Sequence, residues 1–83
     1  MKYKIVEVEW LDAQSWFGIA QPIEELISEF EIINTFSTGY LLYECKKYII
    51  LGFMLFGEDM VKHSQLIPKG MIKEIKIIKE KTK

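Results

Sequence analysis

Apolar and charged residues alternate strictly from Val6 through Glu7, Val8 and Glu9 to Trp10. In an extended chain this period puts Val6, Val8 and Trp10 on one face and the two glutamates on the other, which predicts a half-buried first strand. Tyr3 and Ile5 fall on the opposite parity. Their placement predicts a bulge near Ile5, or a second buried surface on the Tyr3 side where an oligomer interface would fit.

The pattern changes at residues 12–21, a polar loop that holds Asp12, Gln14, Ser15 and Trp16. Beyond it, Pro22 suits the first position of a helix, and Glu24 and Glu25 favour the positive end of its dipole. Ile23, Leu26, Ile27 and Phe30 recur at i, i+3, i+4 and i+7. Together these predict a short helix over residues 22–29, laid over the end of a sheet. Residues 32–43 are rich in β-branched and aromatic side chains and predict one long curved strand, with Gly39 as a bulge or bend. A hairpin turn is expected at residues 44–47. The continuous apolar run 48–56 has the pattern of a central strand buried on both faces, with Gly52 permitting curvature or close backbone approach. Gly57, Glu58 and Asp59 mark the next turn, residues 62–67 the fourth strand, residues 68–70 a tight connection and residues 71–78 the fifth strand.

That order predicts a mainly β fold, a small five-stranded SH3-like or Sm-like barrel with one short helix between strands 1 and 2. The segment Ile67, Pro68, Lys69, Gly70, Met71, Ile72 has the chemistry to turn the sheet sharply before its last strand, because proline fixes one torsion and glycine tolerates positive φ. Residues 1–79 are expected to form a single domain and residues 80–83 a flexible basic tail.

Size and composition narrow the chemistry. A domain of 83 residues buries only about 60–65% of the surface its unfolded chain exposes, so a partner subunit would add stability. The one cysteine, Cys45, excludes an internal disulfide, and with the one histidine, His63, it cannot complete a zinc site. No apolar run approaches the roughly 18 residues of a membrane helix, and the first five residues lack the apolar core of a signal peptide. A cytoplasmic location with no membrane partner is the expectation. The net charge of −1 conceals polarity: residues 5–45 carry eight acids and no base, whereas residues 46–83 carry nine lysines against four acids. Such polarity favours head-to-tail self-association, or gives the fold one acidic and one basic face. Arginine is absent, which counts against a nucleic-acid or phosphate reader.

Catalysis finds little support. A single histidine without a carboxylate neighbour makes a poor base set, Cys45 sits in a turn beside Lys46 and Lys47, and no phosphate loop or metal-spaced cluster exists. No enzyme, cofactor or metal is expected. Binding fits better. Trp16 can stack on a planar ring, Asp12 can accept hydrogen bonds from ribose hydroxyls, and Gln14 and Ser15 can read edges or cap the loop, with Lys62, Lys69 or Lys73 neutralising phosphate. Trp10 shares the parity of Val6 and Val8, which assigns it to the core. The ligand-binding candidates are therefore Asp12, Gln14, Ser15, Trp16 and Lys69. An apolar set, Tyr3, Phe53, Phe56 and Met60, is the candidate interface for an identical subunit or another protein.

The blocks Trp10-Leu11-Asp12-Ala13-Gln14-Ser15, Gly39-Tyr40-Leu41-Leu42 and Ile67-Pro68-Lys69-Gly70-Met71-Ile72, in this order and in a chain of this length, resemble a group of small phage and prophage proteins of unassigned function. The resemblance implies a phage-encoded accessory protein acting inside an infected bacterial cell, and it carries no catalytic or ligand residue with it. Stoichiometric interference with the host suits such a chain in two ways. An oligomer would sequester a host immune nucleotide signal without hydrolysing it, the reading that Trp16, Asp12 and Gln14 in a polar loop place first; alternatively, an exposed face would block a host defence protein. A third reading is an Sm-like module for RNA or single-stranded DNA, against which the acidic first half argues.

Overall fold

The computed structural model describes residues 2–13 and 18–82. The alternating segment forms β1, Ile5–Asp12. After it come α1, Ile23–Glu29, and the strands β2, Ile33–Glu44, β3, Tyr48–Phe56, β4, Met60–Pro68, and β5, Ile72–Lys79, with a 3-10 turn at Lys69–Met71 between the last two. The strands build one antiparallel sheet in the order β4-β3-β2-β1-β5. The fold is thus mainly β, five-stranded, with its helix between β1 and β2. The sheet has two ends, β4 and β5, and is open.

Parity in β1 sets the core. Val6 and Val8 are fully buried and Trp10 nearly so, while Glu7 and Glu9 are only half-buried on the opposite face. These three pack with Ile49, Leu51 and Ile67 from β3 and β4, with Leu41, Met71, Ile72 and Ile75 around them. Since β1 borders neither β3 nor β4, one cluster can form only if the sheet curls over its own face. The curl originates in β2, whose first part pairs with β1 over Ile33–Tyr40 and whose last part pairs with β3 from Tyr40 onward. Gly39 stands at that change of partner, and a Cβ there would lie 2.8 Å from the carbonyl oxygen of Gly52 in β3. No other residue tolerates such an approach without a shift. The expected irregularity near Ile5 exists as a register shift against β5 between Ile5 and Val6. In β2 the shift against β3 falls between Leu41 and Tyr43 rather than at Gly39.

Two parts of the chain leave this core. None of the residues of α1 is buried, so the helix is not laid over the sheet as its stripe had suggested, and Pro22 caps it rather than opening it. Beyond Gly52, β3 pairs with β4 alone, and Phe53, Met54 and Phe56 are exposed. Burial on both faces is therefore not met: in the first half of β3 Ile49 and Leu51 are buried while Tyr48 and Ile50 on the other face are half-buried, and the second half is largely exposed. The departure shows in the dimensions: the radius of gyration is 16.5 Å, where a compact domain of this length has about 12 Å. Among the described residues no helix is long and apolar enough to cross a membrane.

Candidate binding surfaces

Asp12 ends β1 opposite Ile33 and is exposed. With Ala13, Phe30, Glu31 and Ile32 it lines a cleft of 290 Å³, open at the end of the sheet that carries α1. Its lining holds two carboxylates and no lysine, a field that opposes phosphate. Gln14, Ser15 and Trp16 lie outside the described residues. Lys69 belongs to the 3-10 turn, where its ammonium is 2.9 Å from the Glu44 carboxylate and its backbone N–H donates to the Lys47 carbonyl at 2.9 Å. Both contacts fasten this turn to the β2–β3 connection, and Lys69 does not line the Asp12 cleft.

Trp10 has a structural part. Its indole N–H donates to Ser37 Oγ at 3.1 Å, and the Ser37 hydroxyl donates to Gln65 Oε1 at 2.9 Å. The relay ties β1, β2 and β4 together across the curl and satisfies the one polar atom that Trp10 brings inside. Neither Ser37 nor Gln65 is conspicuous in the sequence, since only the strand register brings them together.

The apolar interface candidates are partly assembled. Half-buried Tyr3 meets Met60 in a small cleft of 100 Å³, together with Leu42, Leu55 and Val61 and with Glu58 and Asp59 from the hairpin turn. Phe56 pairs with Met60 across the β3–β4 hairpin, so three of the four share one region. Phe53 turns elsewhere: its ring carbons lie 3.1 and 3.2 Å from where a Gly39 Cβ would stand. Leu42, not singled out by pattern, reaches over Gly52 and links the Tyr3 side to the hairpin. A second buried surface on the Tyr3 side was one of the two readings of its parity.

Opposite the Asp12 end, Lys2, Lys4 and Lys81 with Tyr3, Leu42 and Tyr43 help line a larger cleft of 370 Å³. The Lys2 ammonium stands 5.6 Å from the centroid of the Tyr3 ring, within cation–π range. His63 is exposed in β4 with φ of 62°, a left-handed backbone inside a strand. Cys45 is a half-buried free thiol. Among the described residues no three His, Cys, Asp or Glu side chains converge as a metal site.

Compared with known protein families, curated proteins and solved structures, the chain matches none.

Proposed function

We propose that the chain is a non-enzymatic accessory protein that acts by stoichiometric binding to the surface of another protein, in keeping with its resemblance to phage proteins and with a host defence protein as the target. The observation that carries this reading is the projecting β3–β4 hairpin, on which Met54, Phe56, Met60 and Val61 are 43 to 66% exposed. Apolar side chains gathered on one protruding element are a recognised mark of a protein-binding surface. The strand order, the 3-10 turn between β4 and β5 and the curled core further support assigning the sheet to the SH3-like or Sm-like barrel class.

Capture from an infected bacterial host tests it, using tagged wild type beside a Phe56→Ser/Met60→Ser variant. Wild type is expected to retain one host protein near 1:1 and the variant to lose it with an unchanged melting temperature; equal retention by both refutes the reading. Nucleotide sequestration is the second reading, favoured by the exposed Asp12 and by Phe30, which line one open cleft where a ring could stack. Incubation with cyclic oligonucleotides and NAD-derived signals, then heating, separates the two. Release of an intact nucleotide supports sequestration, and no retention leaves the protein target.

A further inference from the structure

The two ends of the β1–β2 pair carry opposite chemistry. At the Asp12 and Ile33 end stands α1, whose Ile23 and Ile27 are 73% and 71% exposed although they belong to an amphipathic stripe with Leu26 and Phe30. Residues 19–32 around it hold Glu24, Glu25, Glu29 and Glu31 and no base. The other end has the lysine and tyrosine cleft described above. Its one carboxylate, Glu44, is already engaged by Lys69, so Lys2, Lys4 and Lys81 set the sign of that cleft.

These surfaces cannot meet within one chain. The eight residues of β1 separate them by about 23 Å at the usual rise of a strand. A second copy can bring them together. The area allows for it: the chain exposes 6656 Å², where a monomer of its 9.8 kDa mass exposes about 5,200 Å². The excess, roughly 1,500 Å², is of the size that one partner buries in an obligate interface, about 1,000 to 2,500 Å².

We propose that the chain associates head to tail, with α1 of one copy seating its apolar stripe in the lysine and tyrosine cleft of the next. Burying Ile23 and Ile27 against Tyr3, Tyr43 and Leu42 provides the apolar contact, and the α1 carboxylates facing Lys2, Lys4 and Lys81 fix its direction. Because the two patches differ, the contact is heterologous: it closes into a ring or continues as a filament according to the rotation between copies. This does not depend on the hairpin reading: Tyr3 and Leu42 border both clefts, but the contact uses none of Phe53, Met54, Phe56, Met60 and Val61.

Light scattering on three proteins tests the inference. The helix variant is Glu25→Lys/Glu29→Lys, and the cleft variant is Lys2→Glu/Lys4→Glu/Lys81→Glu. Wild type is expected above monomer mass at low salt and to dissociate as salt screens the contact, while each variant alone is weakened about tenfold or more. Mixing the variants gives the sharper result. The helix variant keeps a native cleft and the cleft variant keeps a native helix, and the reversed helix faces the reversed cleft with opposite charge, so the mixture should recover a mass that neither variant reaches alone. Ile27→Ser, which leaves every charge in place, should also reduce wild-type mass, and unchanged melting temperatures show that each variant folds. A monomeric wild type, variants that associate like wild type, or a mixture that stays monomeric overturns the proposal.

Discussion

Replacing Gly39 with alanine tests the curl at its narrowest point. The added Cβ would stand 2.8 Å from the Gly52 carbonyl oxygen and 3.1 and 3.2 Å from Phe53 ring carbons. The ring can turn, but the carbonyl cannot: Gly52 is held in the sheet between Tyr40 and Ser64. Forcing a methyl group into such a contact costs about 1–3 kcal/mol, and relief of glycine's unfolded-state entropy returns roughly 0.5–1 kcal/mol. A net loss of about 1–2 kcal/mol is large for a chain whose total stability is of the order of 4–12 kcal/mol. At about 4–8 °C per kcal/mol for a domain of this size, the melting temperature should fall by roughly 5–15 °C. Two other glycines calibrate the result. At Gly52 the methyl would meet Leu42 and Val61 side-chain carbons at 2.7 and 2.8 Å, and at least the leucine can rotate away, so a smaller loss is expected. At Gly70 nothing lies within 4 Å, and Gly70→Ala should be neutral or stabilising by up to about 1 kcal/mol. Thermal melts followed by far-ultraviolet circular dichroism rank the three. If Gly39→Ala melts with Gly70→Ala, β2 does not pass β3 this closely and the account of the curl is wrong.

Ser37→Ala strips both the Trp10 indole N–H and Gln65 Oε1 of their partner, and urea denaturation should record a loss of about 1–3 kcal/mol, against less than about 0.5 for Ser28→Ala on exposed α1; equal losses would dismiss the relay. His63→Gly should raise the melting temperature, because the left-handed conformation costs a non-glycine residue about 1 kcal/mol, and His63→Val should lower it; the opposite ranking counts against the positive φ. Glu44→Gln breaks the Glu44–Lys69 ion pair, whose side chains are 48% and 36% exposed, so the expected loss is under about 1 kcal/mol and fades at high salt; a larger, salt-independent loss would show that the pair does more than hold a surface turn.

What the sequence discloses follows from which patterns are local. β1 was readable because period two with one charged face leaves a single way to bury Val6, Val8 and Trp10. The bounds of β3 match its apolar run at both ends, yet Phe53, Met54 and Phe56 in that run are exposed: hydrophobicity records what burial would gain, not whether a partner is present. The same applies to α1, legible as a helix from its stripe and illegible in its position. β4 begins at Met60, two residues before the expected strand, because the turn at Gly57–Asp59 is tight enough for Met60 to pair with Phe56. Met71 was expected to start the last strand but belongs to the 3-10 turn. At the candidate sites, Tyr3 and Met60 lie 57 positions apart in the sequence and share a cleft, which only tertiary register determines. Ser37 and Gln65 are hidden for the same reason.

The charge polarity of the chain acquires a different meaning once the strands are paired. Part of it is consumed inside the sheet: β5 brings Lys76 opposite Glu7 and Lys73 to 3.6 Å from Glu9, and Glu44 finds Lys69 across the curl. Glu7, Glu9 and Glu44 thus meet lysines from the second half of the same chain, while Glu9 also stands opposite Glu74 and the cleft of Asp12 holds no lysine. The carboxylates of Glu24 and Glu25 form no ion pair among the described residues, and they sit on α1, none of whose residues is buried. Lysines 2, 4 and 81 come together at the opposite end, supplied by both termini. Folding therefore cancels part of the charge where strands pair and leaves charge beside an uncovered apolar surface at both ends of β1. Uncovered charge and uncovered apolar area thus coincide at both ends of β1, acidic at α1 and basic at the lysine and tyrosine cleft, which is the complementarity that the proposed head-to-tail contact uses.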